Sequence, residues 1–147
     1  MKIGIASDHR GYKLKQEIIK NLKNYDFVDY GTTSEESVDY PDYGIELAEN
    51  VAKKNVDYGV AICGSGIGIS IACNKVKKIR CAKVSSIEEA KITRIDNDSN
   101  IIAFSSDLPL TDALQYVTTF VETNFSNLER HKKRIDKITQ YEEKNEC

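Results

Sequence analysis

Short apolar runs alternate with longer amphipathic stretches along most of this chain. Runs of strand length occupy residues 3–6, 27–30, 60–63, 80–84 and 100–104. After each run, apolar side chains recur every three or four residues, which is the spacing of one face of a helix. These stretches occupy residues 14–22, 45–52, 67–76, 87–95 and 110–121. Five strand–helix units in succession predict the α/β class, with a five-stranded parallel sheet covered by helices on both faces.

A charged segment, residues 127–143, follows the last of these units. Its apolar residues Leu128, Ile135 and Ile138 have helical spacing within an otherwise charged sequence. Because the five-unit sheet is already complete at this point, we predict a C-terminal helix that packs on a partner subunit. A helix that only closes the edge of the sheet is the alternative.

Length and charge narrow the class of protein. A chain of 147 residues is expected to form a single domain, residues 1–147, with a sizeable core. The net charge of −2 gives no general electrostatic reason to expect nucleic acid or an anionic membrane as a partner. No apolar run approaches the roughly 20 residues of a membrane helix. The N-terminus begins directly as a strand, without the small-residue cleavage site of a signal peptide.

The cysteines suggest neither a metal site nor a redox pair. Cys63, Cys73, Cys81 and Cys147 are spaced unlike a CxxC motif, so we expect no bound metal and a reducing, cytoplasmic location. Cys73 falls within a predicted helix and Cys81 within a predicted strand, where a buried structural thiol is the simplest interpretation.

Cys63 has a different setting. Residues 63–70 read Cys-Gly-Ser-Gly-Ile-Gly-Ile-Ser and directly follow the predicted third strand. Glycine loops of this kind bring backbone N–H groups close to a ligand, and the partial positive charge of the following helix favours a thiolate at Cys63. Ser65 is either an ordinary turn or cap residue or a ligand contact. Because parallel sheets bind ligands beyond the carboxyl ends of their strands, Cys63 is our candidate catalytic residue.

Other polar residues stand at comparable positions. Asp8 and His9 follow the first predicted strand, and the turn that contains Tyr40 lies beyond the second. Either group could serve a ligand or only shape a turn. Arg130 and Arg134 are four residues apart on one helical face, where two guanidinium groups could clamp a phosphate. The alternative for this basic cluster is a solvated helix face.

Taken together, these motifs resemble the B-type ribose-5-phosphate isomerases, whose relatives include the galactose-6-phosphate isomerase subunits. The motifs occur in family order from residue 3 to about residue 140: Ser7-Asp8-His9-Arg10-Gly11, Val38-Asp39-Tyr40-Pro41, Ile62 to Ser70, Ala72-Cys73-Asn74-Lys75, Asn97-Asp98-Ser99-Asn100 and Arg130-His131-Lys132-Lys133-Arg134. The resemblance implies a Rossmann-like three-layer α/β/α fold, a homodimer or higher oligomer with active sites at the interface, and no metal or organic cofactor.

The resemblance also implies a reaction, the interconversion of ribose 5-phosphate and ribulose 5-phosphate in the pentose phosphate pathway. Cys63 would be the base that moves a proton between C1 and C2, and Ser65 would assist ring opening. The implied substrate-binding residues are Asp8, His9, Tyr40, Gly64, Gly66, Ile67, Gly68, Asn97, Arg130 and Arg134. This assignment is chemically coherent, because proton removal beside a carbonyl needs a base and donors for the enediolate, and a phosphate clamp fixes orientation.

Two positions depart from the family pattern. Family members commonly have a histidine directly before the Asn-Asp pair, and here that residue is Asp96; an aspartate could donate the ring-opening proton only with a raised pKa. After the fifth strand the family often has an arginine, and here Asp107 would repel a phosphate unless it turns away or pairs with a cation such as Arg130. The alternatives are therefore an isomerase of a six-carbon aldose 6-phosphate, such as galactose or allose 6-phosphate, or a non-catalytic sugar-phosphate-binding homologue.

Overall fold

The computed structural model of the protein describes residues 1–144, so Cys147 lies outside the described residues. Strands and helices alternate in the described part of the chain as the apolar pattern predicts. In chain order they are β1 (Lys2–Ser7), α1 (Tyr12–Asn21), β2 (Asp26–Asp29), α2 (Tyr40–Ala52), β3 (Tyr58–Cys63), α3 (Ile67–Asn74), β4 (Cys81–Lys83), α4 (Ile87–Asn97), β5 (Ile101–Ser105), α5 (Leu110–Glu122) and α6 (Glu129–Lys144).

The five strands form one parallel sheet in the order β2-β1-β3-β5-β4. The chain moves to one side from β1 to β2 and then to the other side with β3, so the direction reverses between β1 and β3. Register pairs Ser7 with Ile62 and Cys63 with Ser105. The carboxyl end of β3 therefore lies between those of β1 and β5, where parallel sheets bind ligands.

Two separate apolar cores cover the two faces of this sheet. On one face, α1, α4 and α5 contribute buried side chains such as Ile18, Ala90 and Phe120. On the other face, α2 and α3 contribute residues such as Leu47 and Ile69. Burial of apolar surface on both faces stabilises the sheet, and the predicted three-layer α/β/α arrangement is confirmed.

The fourth strand is shorter than its apolar run suggests, and α3 ends earlier than predicted. The Asn74 side chain explains both features. Its Oδ1 accepts a hydrogen bond from the backbone N–H of Cys81 at 2.8 Å, and its Nδ2 donates to the Cys81 carbonyl at 2.9 Å. The last residue of α3 thereby holds the first residue of β4, so the intervening residues form a tight connection rather than further helix or strand.

The charged tail is a helix, as predicted, and it lies against α4. His131 is its buried residue, whereas Leu128 and Ile138 remain 43% and 52% exposed. Packing of α6 on a partner subunit stays a prediction, as does the single domain over residues 1–147. None of the helices within residues 1–144 is both long enough and apolar enough to span a membrane.

Candidate active site

The Cys63 thiol is held at the point where β3 passes into the glycine loop. Cys63 is the last residue of β3, only 4% exposed, and its Sγ accepts a hydrogen bond from the backbone N–H of Gly66 at 3.2 Å. Gly66 has a left-handed backbone (φ 78°) and precedes the first residue of α3. The loop thus folds back on the thiol and places it at the N-terminal end of α3, where the helix dipole favours negative charge.

Cys63 lines an open cavity of about 590 Å³ at the carboxyl edge of the sheet. The other lining residues are Asp8, Arg10, Tyr40, Gly64, Ser65, Ile67, Gly68, Lys83, Ser105 and Asp107. Seven of the sequence-predicted residues therefore come together here: Asp8, Tyr40, Cys63, Gly64, Ser65, Ile67 and Gly68. The volume is in the range of pockets that bind small molecules.

Two backbone donors of the loop are left for a ligand. The Gly64 carbonyl accepts a hydrogen bond from Ser105 Oγ at 2.7 Å, and the Cys63 carbonyl accepts one from the N–H of Ser106 at 2.9 Å. By contrast, the N–H groups of Gly64 and Ser65 have no acceptor within residues 1–144. Fixed amide donors beside a base are suited to stabilising an oxyanion.

The glycines at positions 64 and 68 allow side chains to lie directly on the loop. A Cβ atom added to Gly64 would be 2.5 Å from Nη1 of Arg10, and one added to Gly68 would be 2.6 Å from Cζ of Tyr40. Arg10 and Tyr40 therefore form two walls of the cavity, with the loop as its floor. Any larger residue at either glycine would displace one of these walls.

Asp8 shapes the turn that presents Arg10. Its Oδ1 accepts hydrogen bonds from the backbone N–H groups of Arg10 at 3.0 Å and Gly11 at 3.1 Å. The neighbouring His9 points differently, because its Nδ1 accepts a hydrogen bond from the N–H of Val38 at 3.2 Å. His9 is not among the residues that line the Cys63 cavity.

The remaining predicted residues lie elsewhere on the subunit. Asn97 and Arg134 line a separate depression of about 120 Å³, and Arg130 lines a shallow hollow along α6. Asp96 shares the depression with Asn97, and its Oδ1 lies 3.6 Å from Nε2 of the buried His131. One subunit thus holds the predicted site residues in two groups, the cavity around Cys63 and the surface of α4 and α6.

Four cavity residues were not in the predicted set: Arg10, Lys83, Ser105 and Asp107. Asp107 had been noted only as a departure from the family pattern, and within residues 1–144 it forms no ion pair with Arg130. All four stand at or just after the carboxyl end of a strand. The position rule that identified Cys63 could therefore have found them, although a charged residue in a loop gives no signal by composition alone.

The other described cysteines have structural surroundings. Cys73 is fully buried in α3, and its Sγ donates a hydrogen bond to the Gly44 carbonyl at 3.4 Å. A hydrogen bond with Cys73, together with burial, raises the pKa of the Cys81 thiol well above its ordinary value. The Cys81 thiol is thereby kept in the unreactive protonated form. Within residues 1–144, no group of three or more His, Cys, Asp or Glu side chains is arranged to hold a metal ion.

Comparison with known proteins bears on this arrangement. A family model described as Ribose/Galactose Isomerase matches residues 3–138. The chain belongs to this isomerase family. A putative sugar phosphate isomerase of Bacillus subtilis is 43% identical over 99% of both chains.

Solved structures agree with the family assignment. Ribose-5-phosphate isomerase B of Clostridium thermocellum is 46% identical, with a TM-score of 0.95 over 99% of this chain and 100% of that one. The enzyme of Mycoplasma genitalium, solved with bound ribulose 5-phosphate, is 37% identical, with a TM-score of 0.91 over 97% and 96% of the two chains. The resemblance recognised from the motifs, the Rossmann-like fold and the prediction of an isomerase are confirmed.

Proposed function

We propose that this family member interconverts D-ribose 5-phosphate and D-ribulose 5-phosphate by proton transfer, with Cys63 as the base. The observation that carries the proposal is the position of the Cys63 thiol in a ligand-sized cavity, beside two N–H groups that have no acceptor within residues 1–144. Proton transfer between adjacent carbons requires a base and nearby hydrogen-bond donors that stabilise the oxyanion. The expected cytoplasmic location goes with this proposal.

The chemistry follows from this arrangement. The Cys63 thiolate takes the proton from C2 of the open-chain aldose, and the electrons of that C–H bond form the C1–C2 double bond of an enediolate. The N–H groups of Gly64 and Ser65 donate to its oxygen while it carries negative charge. The hydroxyl proton on O2 then passes to O1, the carbonyl forms at C2 and Cys63 returns its proton to C1, so the base is regenerated and no outside oxidant or reductant takes part.

Contacts to the sugar come from the walls of the cavity. The Ser65 hydroxyl already accepts a hydrogen bond from the N–H of Ile67 at 3.1 Å, which leaves its own proton available to the ring oxygen of the substrate. The phenol of Tyr40 and the free carboxylate oxygen of Asp8 face hydroxyl groups of the sugar in this proposal. Ring opening is assigned to Ser65 because this residue lines the Cys63 cavity.

A second copy of the chain would bring Asn97, Arg130 and Arg134 to this cavity, as the family resemblance implies. The surface beside the cavity supports a homodimer, because Ile67 and Ile71 are 54% and 57% exposed one turn apart on α3. Exposed apolar side chains in such proximity are a common feature of subunit interfaces. In this arrangement the partner's two arginines hold the phosphate of a substrate whose C1 and C2 lie at Cys63.

An assay of the wild-type protein across several aldose phosphates tests the reaction and the substrate. We expect the highest kcat/KM with ribose 5-phosphate and much lower values with galactose 6-phosphate and allose 6-phosphate. In deuterated water, NMR should detect deuterium on carbon in the product, because the proton held by Cys63 exchanges with solvent. Preference for a hexose phosphate, or no turnover of any aldose phosphate, would contradict the proposal.

Mixing two inactive variants tests whether the site is shared between subunits. Cys63→Ala lacks the base and Arg134→Ala lacks part of the proposed clamp, so each homodimer should have little activity. Unfolding and refolding the two together should restore about a quarter of the wild-type activity, because half of the dimers are mixed and each mixed dimer has one complete site. Absence of any recovery, with mixed dimers demonstrated by mass spectrometry, would mean that each site is built from one chain.

A further inference from the structure

Arg10 is a cavity residue whose charge the proposed reaction does not yet use. Its backbone N–H is fixed by Asp8 Oδ1 at 3.0 Å, so the start of the side chain is held by the turn after β1. Its guanidinium lies against Gly64, close enough that a Cβ atom there would be 2.5 Å from Nη1 and 2.8 Å from Cζ. The guanidinium therefore lies at the wall of the Cys63 cavity, although Arg10 as a whole is exposed.

The guanidinium of Arg10 has no hydrogen-bond or ion-pair partner within residues 1–144. The other cation of the cavity, Lys83, is already engaged, because its Nζ donates to Ser85 Oγ at 2.7 Å. Two carboxylates also line the cavity. Asp8 uses Oδ1 in the turn and keeps its other oxygen for the sugar, and within residues 1–144 neither Asp8 nor Asp107 forms an ion pair with Arg10. A planar fork of unused donors in a ligand-sized cavity is suited to a bidentate phosphate.

We propose that Arg10 binds the phosphate group of the substrate from the same subunit that supplies Cys63, an inference that rests on the proposed function. The phosphate is chosen over the enediolate for a physical reason. The enediolate is a transient charge that the free N–H groups of Gly64 and Ser65 can serve, whereas a phosphate carries permanent negative charge and needs a permanent cation. Arg10 would also offset the repulsion between the phosphate and Asp107.

The first test compares Arg10→Gln with a matched control, Lys13→Gln. Lys13 is a cation one turn away on the outer surface, where it pairs with Glu35 at 3.2 Å and does not line the cavity. Calorimetry should show that Arg10→Gln binds inorganic phosphate about 10- to 50-fold more weakly than wild type, as expected for losing charge-assisted hydrogen bonds. Lys13→Gln should bind inorganic phosphate within about twofold of wild type, because the Lys13 charge is exposed, lies outside the cavity and is screened by solvent. Equal affinity of Arg10→Gln and wild type would overturn the inference.

Two further variants sharpen the assignment. Arg10→Lys keeps the charge without the fork and should lose affinity to an intermediate degree. Asp107→Asn should shift affinity in the opposite direction and bind phosphate several-fold more tightly, because a repelling charge is removed. The same phosphate affinity in Arg10→Lys and Arg10→Gln would argue against a bidentate contact.

Kinetics separate this inference from the proposed reaction. With ribose 5-phosphate, Arg10→Gln should raise KM about as much as it weakens phosphate binding and change kcat little, because the phosphate does not change during the reaction. A fall in kcat alone, with phosphate affinity unchanged, would place Arg10 on the enediolate and overturn the inference. If wild type fails to isomerise any aldose phosphate while Arg10 still governs phosphate binding, the proposed reaction fails and the phosphate site stands.

Discussion

Replacing Cys63 with alanine should lower kcat/KM for ribose 5-phosphate by about 10³-fold or more, because removal of a general base from the reacting carbon costs 10²- to 10⁴-fold. The fold should survive the change. Alanine keeps the Cβ atom at position 63. The Sγ atom that is lost accepts one hydrogen bond, from the N–H of Gly66. Steady-state kinetics and thermal melts on the same preparations measure both effects.

Cys73→Ala is the matched control for this variant. Cys73 lies ten residues further along, is fully buried and uses its thiol only in structural contacts with Gly44 and Cys81. Loss of the Cys73 thiol should lower the free energy of unfolding by about 1 kcal/mol, which lowers the melting temperature. The value of kcat/KM should stay within a few-fold of wild type. If Cys63→Ala retained more than a tenth of the wild-type kcat/KM, Cys63 would not be the base.

The layers of the fold were predictable because each element carries its own pattern. Buried strands read as short apolar runs, and the helices that cover them have apolar residues at helical spacing on one face. The strand order is different, since nothing in the apolar pattern indicates that β5 lies between β3 and β4. That order depends on how the packed helices fill the two faces, which is a property of the whole chain.

The Cys63 half of the site was predictable because consecutive residues build it. The loop from Cys63 to Gly68 carries the thiol that we propose as the base, the N–H group that donates to it and the proposed oxyanion donors, all within six residues. The walls were partly missed, since Arg10 and Lys83 come from two other strand ends and look like solvated charges in the sequence. The separation of Asn97 and Arg134 from the cavity within one subunit could not be predicted from the sequence pattern, because it depends on how α4 and α6 pack in the folded chain.

The Gly66→Ala variant should be the most damaging single methyl addition in the glycine loop. Gly66 has φ 78°, where an L side chain is strained, and a Cβ would lie 2.7 Å from the backbone carbonyl carbon of Phe104 and 2.8 Å from its Cα. These atoms belong to a central strand and cannot move aside. We expect a loss of about 3 kcal/mol of stability, which combines backbone strain with overpacking.

Activity should fall with the same substitution, because the loop must move away from β5 to accommodate the methyl group. That movement withdraws the Gly66 N–H from Cys63 Sγ, now 3.2 Å away, and shifts the N-terminal end of α3. A displacement of about 1 Å at the base is expected to cost about 10²-fold in kcat/KM.

Gly64→Ala is the matched control, because it adds the same methyl group to the same loop but meets a flexible side chain instead of a backbone. At Gly64 the nearest atoms all belong to the Arg10 guanidinium, which can swing away. The free energy of unfolding of Gly64→Ala should therefore stay within about 1 kcal/mol of the wild-type value. The melting temperature of Gly66→Ala should be well below those of Gly64→Ala and wild type. Equal melting temperatures for the two variants would contradict this prediction. They would show that the left-handed turn at Gly66 and its close contact with β5 tolerate a side chain.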